Sequence, residues 1–333
     1  MQVKKFIFGF ILGVFALWVG QTINNTTYYT EEYVWSYSEV EEEEHNEGRL
    51  VAIEKYLSQH PRDIQAMMCK AAILNKRGES EKAIRVLNEV LQLDEDNDSA
   101  LNNRGMYYNE LSLFTFGLED IEKAMTISGG TSEEYANKGN ALLGLERIEE
   151  AIEAYDKGIA LDNNSAYCHY GKGVVYQNAG LNEKAFEAFK KAFDINPKDD
   201  DYYYGVIQTG YSLEKYKELL PVVEKKAKSC SDPETIDYYR IDIRLELGEY
   251  AEALEAIAAY QQETEYLADS YYLECKAYIG LGDLESAYTS LKKCVELDSE
   301  YFYYIDPEEV KALVGYSDFD KVFEKMYIYN EWE

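Results

Sequence analysis

The stretch SEEYANKGNALLGLERIEEAIEAYDKGIALDNNS, residues 132–165, decides how the rest of the chain is read. It divides into two amphipathic runs of about 13 residues around a turn, each with the 3.6-residue apolar spacing of a helix. Moving the window forward by 34 residues preserves the register. Tyr135, Gly139, Leu142, Ala151, Tyr155, Gly158, Leu161 and Asp162 become His169, Gly173, Tyr176, Ala185, Phe189, Ala192, Ile195 and Asn196. The phase holds in both directions without insertion. Units beginning at 64, 98, 132, 166, 200, 234 and 268 fill residues 64–301. A period of this length marks stacked supersecondary units that bury their apolar faces against each other.

Two columns of small residues explain how such units pack. One holds Ala71, Gly105, Gly139 and Gly173; the other holds Ala83, Gly117, Ala151, Ala185, Ala253 and Ala287. Small side chains let two antiparallel helices approach closely, while aromatic and leucine positions fill the space beside them. Ile207 and Leu219 stand in those columns in the fifth unit, which must therefore pack differently. Gly78, Gly180, Gly248 and Gly282 share one turn position, where a helix end favours a left-handed residue.

With Gly or Ala at the eighth place, Ala at the twentieth, an aromatic or Leu at the twenty-fourth and Pro197 near a unit's end, the chain resembles the tetratricopeptide repeat (TPR) family. The resemblance covers residues 48 to about 328. It implies an all-α, right-handed superhelical solenoid of antiparallel helix pairs, with the first helix of each pair lining a concave groove. Residues 48–63 read as a half repeat preceding the seven full ones, and 302–333 as C-terminal capping helices. A solenoid needs such ends because its terminal face is otherwise apolar.

Upstream, Lys4 and Lys5 precede fifteen residues, 6–20, without a charge. A spanning helix needs about 20 apolar residues, and the run approaches that length when 21–23 are included. Residues 1–23 are thus expected to form a signal-anchor, with membrane contact through residues 6–23. Cleavage and secretion is the alternative, opposed by Trp18 and Val19 where small residues would precede a cut. The basic pair places the repeats outside the cytoplasm. Residues 24–47, with their Glu41–Glu44 run, read as an acidic flexible spacer.

Across 333 residues, 63 acidic and 33 basic side chains give a net charge of −30, which argues against nucleic acid as a partner. Nothing reads as catalytic, cofactor-binding or metal-ligating: H-E-x-x-H, a phosphate-cradling glycine loop, G-x-S-x-G and C-x-x-C are all absent from the sequence. His45, His60 and His169 have structural places. Cys275 and Cys294 fall in the small-residue columns of one unit, where packing accounts for them and a disulfide stays open.

Function is therefore sought in the groove. Six places per unit face it. The second and third units supply Asn102, Asn103, Asn109, Asn137 and Asn140; the fourth supplies Tyr167, Tyr170, Gln177 and Asn178. Tyr204, Gln208, Tyr238 and Tyr272 continue the series. Amides donate to and accept from a peptide backbone without demanding a sequence, and tyrosine adds a large face with little rotamer entropy to lose. The expected role is a membrane-tethered scaffold binding an extended peptide or partner segment. Glycan or cell-wall polymer binding by the tyrosine-rich later repeats is the alternative. The only groove cations are Lys76 and Lys276, so the carboxylate clamp of the family's co-chaperones is not made.

Overall fold

The computed structural model describes residues 40–228, 233–264, 266–299, 301, 305–316 and 319. The expected signal-anchor 1–23, residues 24–39 of the spacer and most of the second capping helix lie outside the described residues. Among the described residues there are helices and turns and no strand, and no helix is long and apolar enough to cross a membrane. The chain forms two compact units, which divide between Ile195 and Asn196.

The first unit begins with α1 (Val40–Gln59), so the helix expected from residue 48 starts inside the acidic segment and takes in Glu41–Glu44. Four hairpins follow: α2 (Ile64–Lys76) with α3 (Ser80–Leu93), α4 (Asp98–Glu110) with α5 (Phe114–Ser128), α6 (Ser132–Gly144) with α7 (Ile148–Leu161), and α8 (Ala166–Asn178) with α9 (Asn182–Ile195). The residue before three of these four first helices caps it, Ser165 before α8 being the exception. Asp63 and Asn97 accept from the amides of Ala66 and Ala100, and Thr131 forms a reciprocal box with Glu134.

Close approach of the paired helices is visible at Tyr155, a fully buried ring. A Cβ at Gly139 would come within 2.5 Å of it and one at Gly171 within 2.4 Å, so its own repeat and the next hold the ring between backbones. Gly144 receives Phe114 of the preceding repeat in the same manner. Regular ion pairs cross between repeats on the outside: Lys70–Glu54 at 2.9 Å, Lys138–Glu122 at 2.7 Å and Lys172–Asp156 at 2.5 Å.

The second unit contains α10 (Asp200–Ser212), α11 (Tyr216–Ala227), α12 (Pro233–Glu246), α13 (Tyr250–Glu263), α14 (Leu267–Leu281), α15 (Leu284–Leu297) and the short α16 (Pro307–Val310), which runs into a 3-10 turn at Lys311–Leu313. The last two hairpins start at 233 and 267, one residue ahead of the 34-residue phase. In the fifth repeat bulky Ile207 and Leu219 are both buried, and the small residue has moved three places on. Gly210 is where Leu219 lands, 2.4 Å from an added Cβ, and Pro221 stands inside α11. At the C-terminal end, Val310, Leu313 and Phe319 are fully buried against Tyr288 and Leu291, so the cap expected over 302–333 starts as one short helix and a turn.

All seven hairpin turns close alike. The fifteenth residue of every repeat has positive φ: Gly78, Gly180, Gly248 and Gly282 at 70–78°, and Ser112, Glu146 and Glu214 at 54–60°. The next amide returns to the carbonyl five residues earlier, as in Glu79 N–H to Leu74 O and Arg147 N–H to Leu142 O, both 2.9 Å. These are Schellman closures, made with or without glycine.

Candidate functional site

Within each unit, successive first helices pack on one another (α4 on α6, α6 on α8, α12 on α14) more closely than successive second helices do. That asymmetry curves a stack toward its first helices and makes their outward face the inner surface. The residues expected to line a groove do lie on these helices, but they fall into two layers.

The deeper layer is bonded to itself. In the first unit Asn102, Asn137 and Asn140 are all under a tenth exposed. Asn137 Nδ2 donates to Asn102 Oδ1 at 3.0 Å, and Asn109 Nδ2 donates to the Asn137 carbonyl at 3.0 Å. Tyr155 Oη donates to Asn140 Oδ1 at 2.6 Å, while Asn140 Nδ2 donates to the Tyr167 hydroxyl. The second, third and fourth repeats are thus joined by neutral amides and phenols, each of which would be costly to bury alone. One carboxylate takes part: Glu110 accepts from Asn75 Nδ2 at 3.0 Å and Ser80 Oγ at 2.9 Å. Burial pushes its carboxyl up to about 7, against the pull of those two donors.

In the second unit the equivalent layer is ionic. Lys276 on α14 lies 2.9 Å from Glu309, 3.5 Å from Asp242 and 3.7 Å from Glu246, spanning α12 to α16. Burial alone would lower its ammonium, but Asp242 and Glu309, with Glu246 behind them, carry it above the ordinary lysine value. Tyr211 Oη donates to Asp242 at 2.8 Å, and Tyr272 Oη to Glu309. The Asp306 amide donates in turn to the Tyr272 oxygen at 3.2 Å. Burial raises the Tyr211, Tyr238 and Tyr272 phenols, and neighbouring carboxylates raise them further. The rings meet edge to face: Tyr239 lies 6.3 Å from Tyr203, 6.1 Å from Tyr211 and 6.1 Å from Tyr238. Glu246 and Glu309 are the residues whose role the sequence did not single out; their signal was the groove cation four residues beyond Tyr272.

The outer layer faces solvent. Asn178 and Gln208 are exposed; Asn103, Tyr167, Gln177, Tyr204 and Tyr238 are half-buried, and Tyr170 is buried beside Phe189, ring centroids 5.3 Å apart. Cys69, Cys168, Cys275 and Cys294 are free thiols, the last two fully buried, so packing is their use. No cluster able to hold a metal ion occurs among the described residues.

The architecture is that of a helical-hairpin repeat protein whose first helices form an inner face. Residues 139–180 match the TPR repeat family, and residues 166–199 and 268–301 match the tetratricopeptide repeat. The chain is 33% identical over 112 residues to the TPR repeat-containing protein MJ1428 of Methanocaldococcus jannaschii. The match takes in 34% of this chain and spans a fifth (20%) of that protein's length. Among solved structures, the C-terminal part of a TPR repeat-containing protein from Cytophaga hutchinsonii is 18% identical, covering 74% of this chain and 99% of that one, with a TM-score of 0.52. A thermophilic TPR protein from Thermus thermophilus is 18% identical over 58% of this chain and 99% of its own, with a TM-score of 0.46. Residues 139–199 and 268–301 of this chain thus read as tetratricopeptide repeats.

Proposed function

We propose that the protein is a scaffold that holds an extended segment of a partner protein against the outer layer of its first helices. The family supports a protein or peptide partner in general terms. The observation that carries the more specific reading is the two-layered inner face. A bonded under-layer fixes the first helices, and Asn103 and Asn178 stand above it as amide groups suited to a peptide backbone. Asn102, Asn137 and Asn140, whose amides are spent on neighbouring repeats, belong to the support and not to the contact surface.

The tyrosines favour a protein over a glycan. Sugar binding uses open aromatic faces, whereas Tyr170 and Tyr272 are buried and Tyr211 and Tyr272 donate their hydroxyls to carboxylates. The proposal includes a tether: residues 6–23 anchor the chain and leave the repeats on the extracytoplasmic side. The uncharged run, the preceding lysine pair and the acidic segment up to Glu44 support it. With a net charge of −30 the chain repels polyanions, so nucleic acid has no part in this reading.

Photocrosslinkers placed at Asn103 and Asn178, both in the first unit, test the contact surface in native membranes. Both should capture the same partner, while one at the exposed Glu187, on a second helix, should not. Capture from Glu187 alone overturns the reading. Protease added to intact cells should digest the repeats; full protection would overturn the proposed topology.

A further inference from the structure

At the junction of the first two repeats, Glu110 closes α4 and reaches back to the turn between α2 and α3. Its Oε1 accepts from Asn75 Nδ2 at 3.0 Å and its Oε2 from Ser80 Oγ at 2.9 Å. Asn75 is only 7% exposed, and its Oδ1 is shielded from solvent without a hydrogen-bond donor. That orphaned oxygen is the telling feature. An amide that donates to one carboxyl oxygen completes a two-bond ring when the other carboxyl oxygen carries a proton, because the O–H can then donate to the amide oxygen. An ionised carboxylate offers acceptors alone. It leaves Asn75 Oδ1 without a donor, and a buried acceptor without a donor is destabilising.

We propose that Asn75 and Glu110 form a proton-gated clasp between the first and second repeats, closed by an acid–amide ring when Glu110 is neutral and loosened when its proton passes to solvent. Ser80 is the counterweight, since its hydroxyl also serves the ionised form. Burial pushes the Glu110 carboxyl up to about 7, so the change falls near neutrality and not in the ordinary carboxylate range. The folded state thus holds this proton more tightly than the unfolded chain does. The clasp's contribution is complete below the ordinary glutamate value and is lost as pH rises through about 7.

The titratable groups around the clasp are few. Lys76 ends α2 beside Asn75 and Arg77 caps it; Glu79 pairs with Arg77 across the turn at 3.1 Å and with Lys82 at the start of α3. Tyr107, on α4 itself, and Tyr167 of α8 both sense the Glu110 charge. The start of α5 (Phe114, Thr115, Phe116) and the end of α6 (Leu142, Leu143, Gly144) contribute no titratable side chain.

Carbon-13 NMR of the Glu110 carboxyl in the full chain reads the gate directly, and hydrogen exchange over residues 64–110 reads its effect. The carboxyl should titrate near pH 7. Protection of α2–α4 amides, corrected for intrinsic exchange, should fall by roughly tenfold between pH 6 and 8, the equivalent of one unit of linkage. Glu110→Gln supplies the same ring without a proton to lose and should keep its pH 6 protection throughout. Ser80→Ala, which removes a donor to the ionised form, should move the midpoint upward. A carboxyl titrating below pH 5, or parallel loss of protection in wild type and Glu110→Gln, overturns the clasp.

Discussion

The two compact units obey one backbone rule and join their repeats with opposite chemistries. From the second repeat to the fourth the first helices meet through Asn102, Asn137, Asn140 and their phenol partners, all neutral. From residue 196 onward they meet through Asp242, Glu246 and Glu309 gathered around Lys276. Amide contacts are indifferent to salt and nearly so to pH, whereas a buried cation among carboxylates is strong only while every member is charged and present. A shared fold therefore need not imply shared sensitivities.

The largest effect that would break this comparison is Lys276→Met. Removing the cation leaves three carboxylates around an apolar side chain, and the second unit should lose about 2–3 kcal/mol near neutrality, below the range for a fully buried pair because Glu246 and Glu309 are about a third exposed. Urea unfolding should show that loss shrinking as pH falls through about 4–5, where carboxylates take up protons. On the alkaline side the raised Lys276 value keeps the wild-type contribution in place up to the ordinary lysine range, and it is lost in strong alkali. A pH-independent loss would show that Lys276 acts through packing alone.

Asn137→Ala is the matching change in the first unit. It deprives Asn102 Oδ1 of its donor in a buried site and should lower stability by about 1–3 kcal/mol. The decrement should be the same at pH 5 and pH 8 and insensitive to added salt as measured by thermal melts; a salt-dependent decrement would erase the contrast. The smallest expected effect treats both units equally. Glu146→Gly and Glu214→Gly relieve the positive φ of the same turn, one in each unit, and each should raise stability by about 0.5–1 kcal/mol in urea titrations. Unequal gains would mean that the turns differ in strain despite their common geometry.

The helical hairpins were legible because packing repeats what the sequence repeats. Gly139 and Tyr155 recur 34 residues later as Gly173 and Phe189, and a Cβ at either glycine would meet its ring at 2.5 Å. The fifth repeat was legible as an exception at Ile207 and Leu219, but its remedy at Gly210 was not. A column comparison sees a missing small residue and not the one that replaces it at another place. The site was legible only as a face. The fifth and sixth places of successive repeats identify Asn102 and Asn137 as inner residues, yet nothing within one repeat tells that the two amides bond to each other. Their burial is a property of the stack. For the same reason Glu309 went unnoticed: it completes the Lys276 cluster from α16, beyond the last full repeat.

The turn that closes every hairpin has a consequence for how this chain can be cut and rejoined. Ser112, Glu146 and Glu214 take the conformation that glycine takes at Gly78 and Gly282, so the connection is imposed by the helices on either side and not by the residue between them. Each hairpin thus turns on the same joint. A second helix could be exchanged between the amide-joined and the ion-joined halves by splicing at the fifteenth residue, with no new linker. The turns are the interchangeable fittings of the array, and the individuality of each segment resides in the polar groups of its first helix.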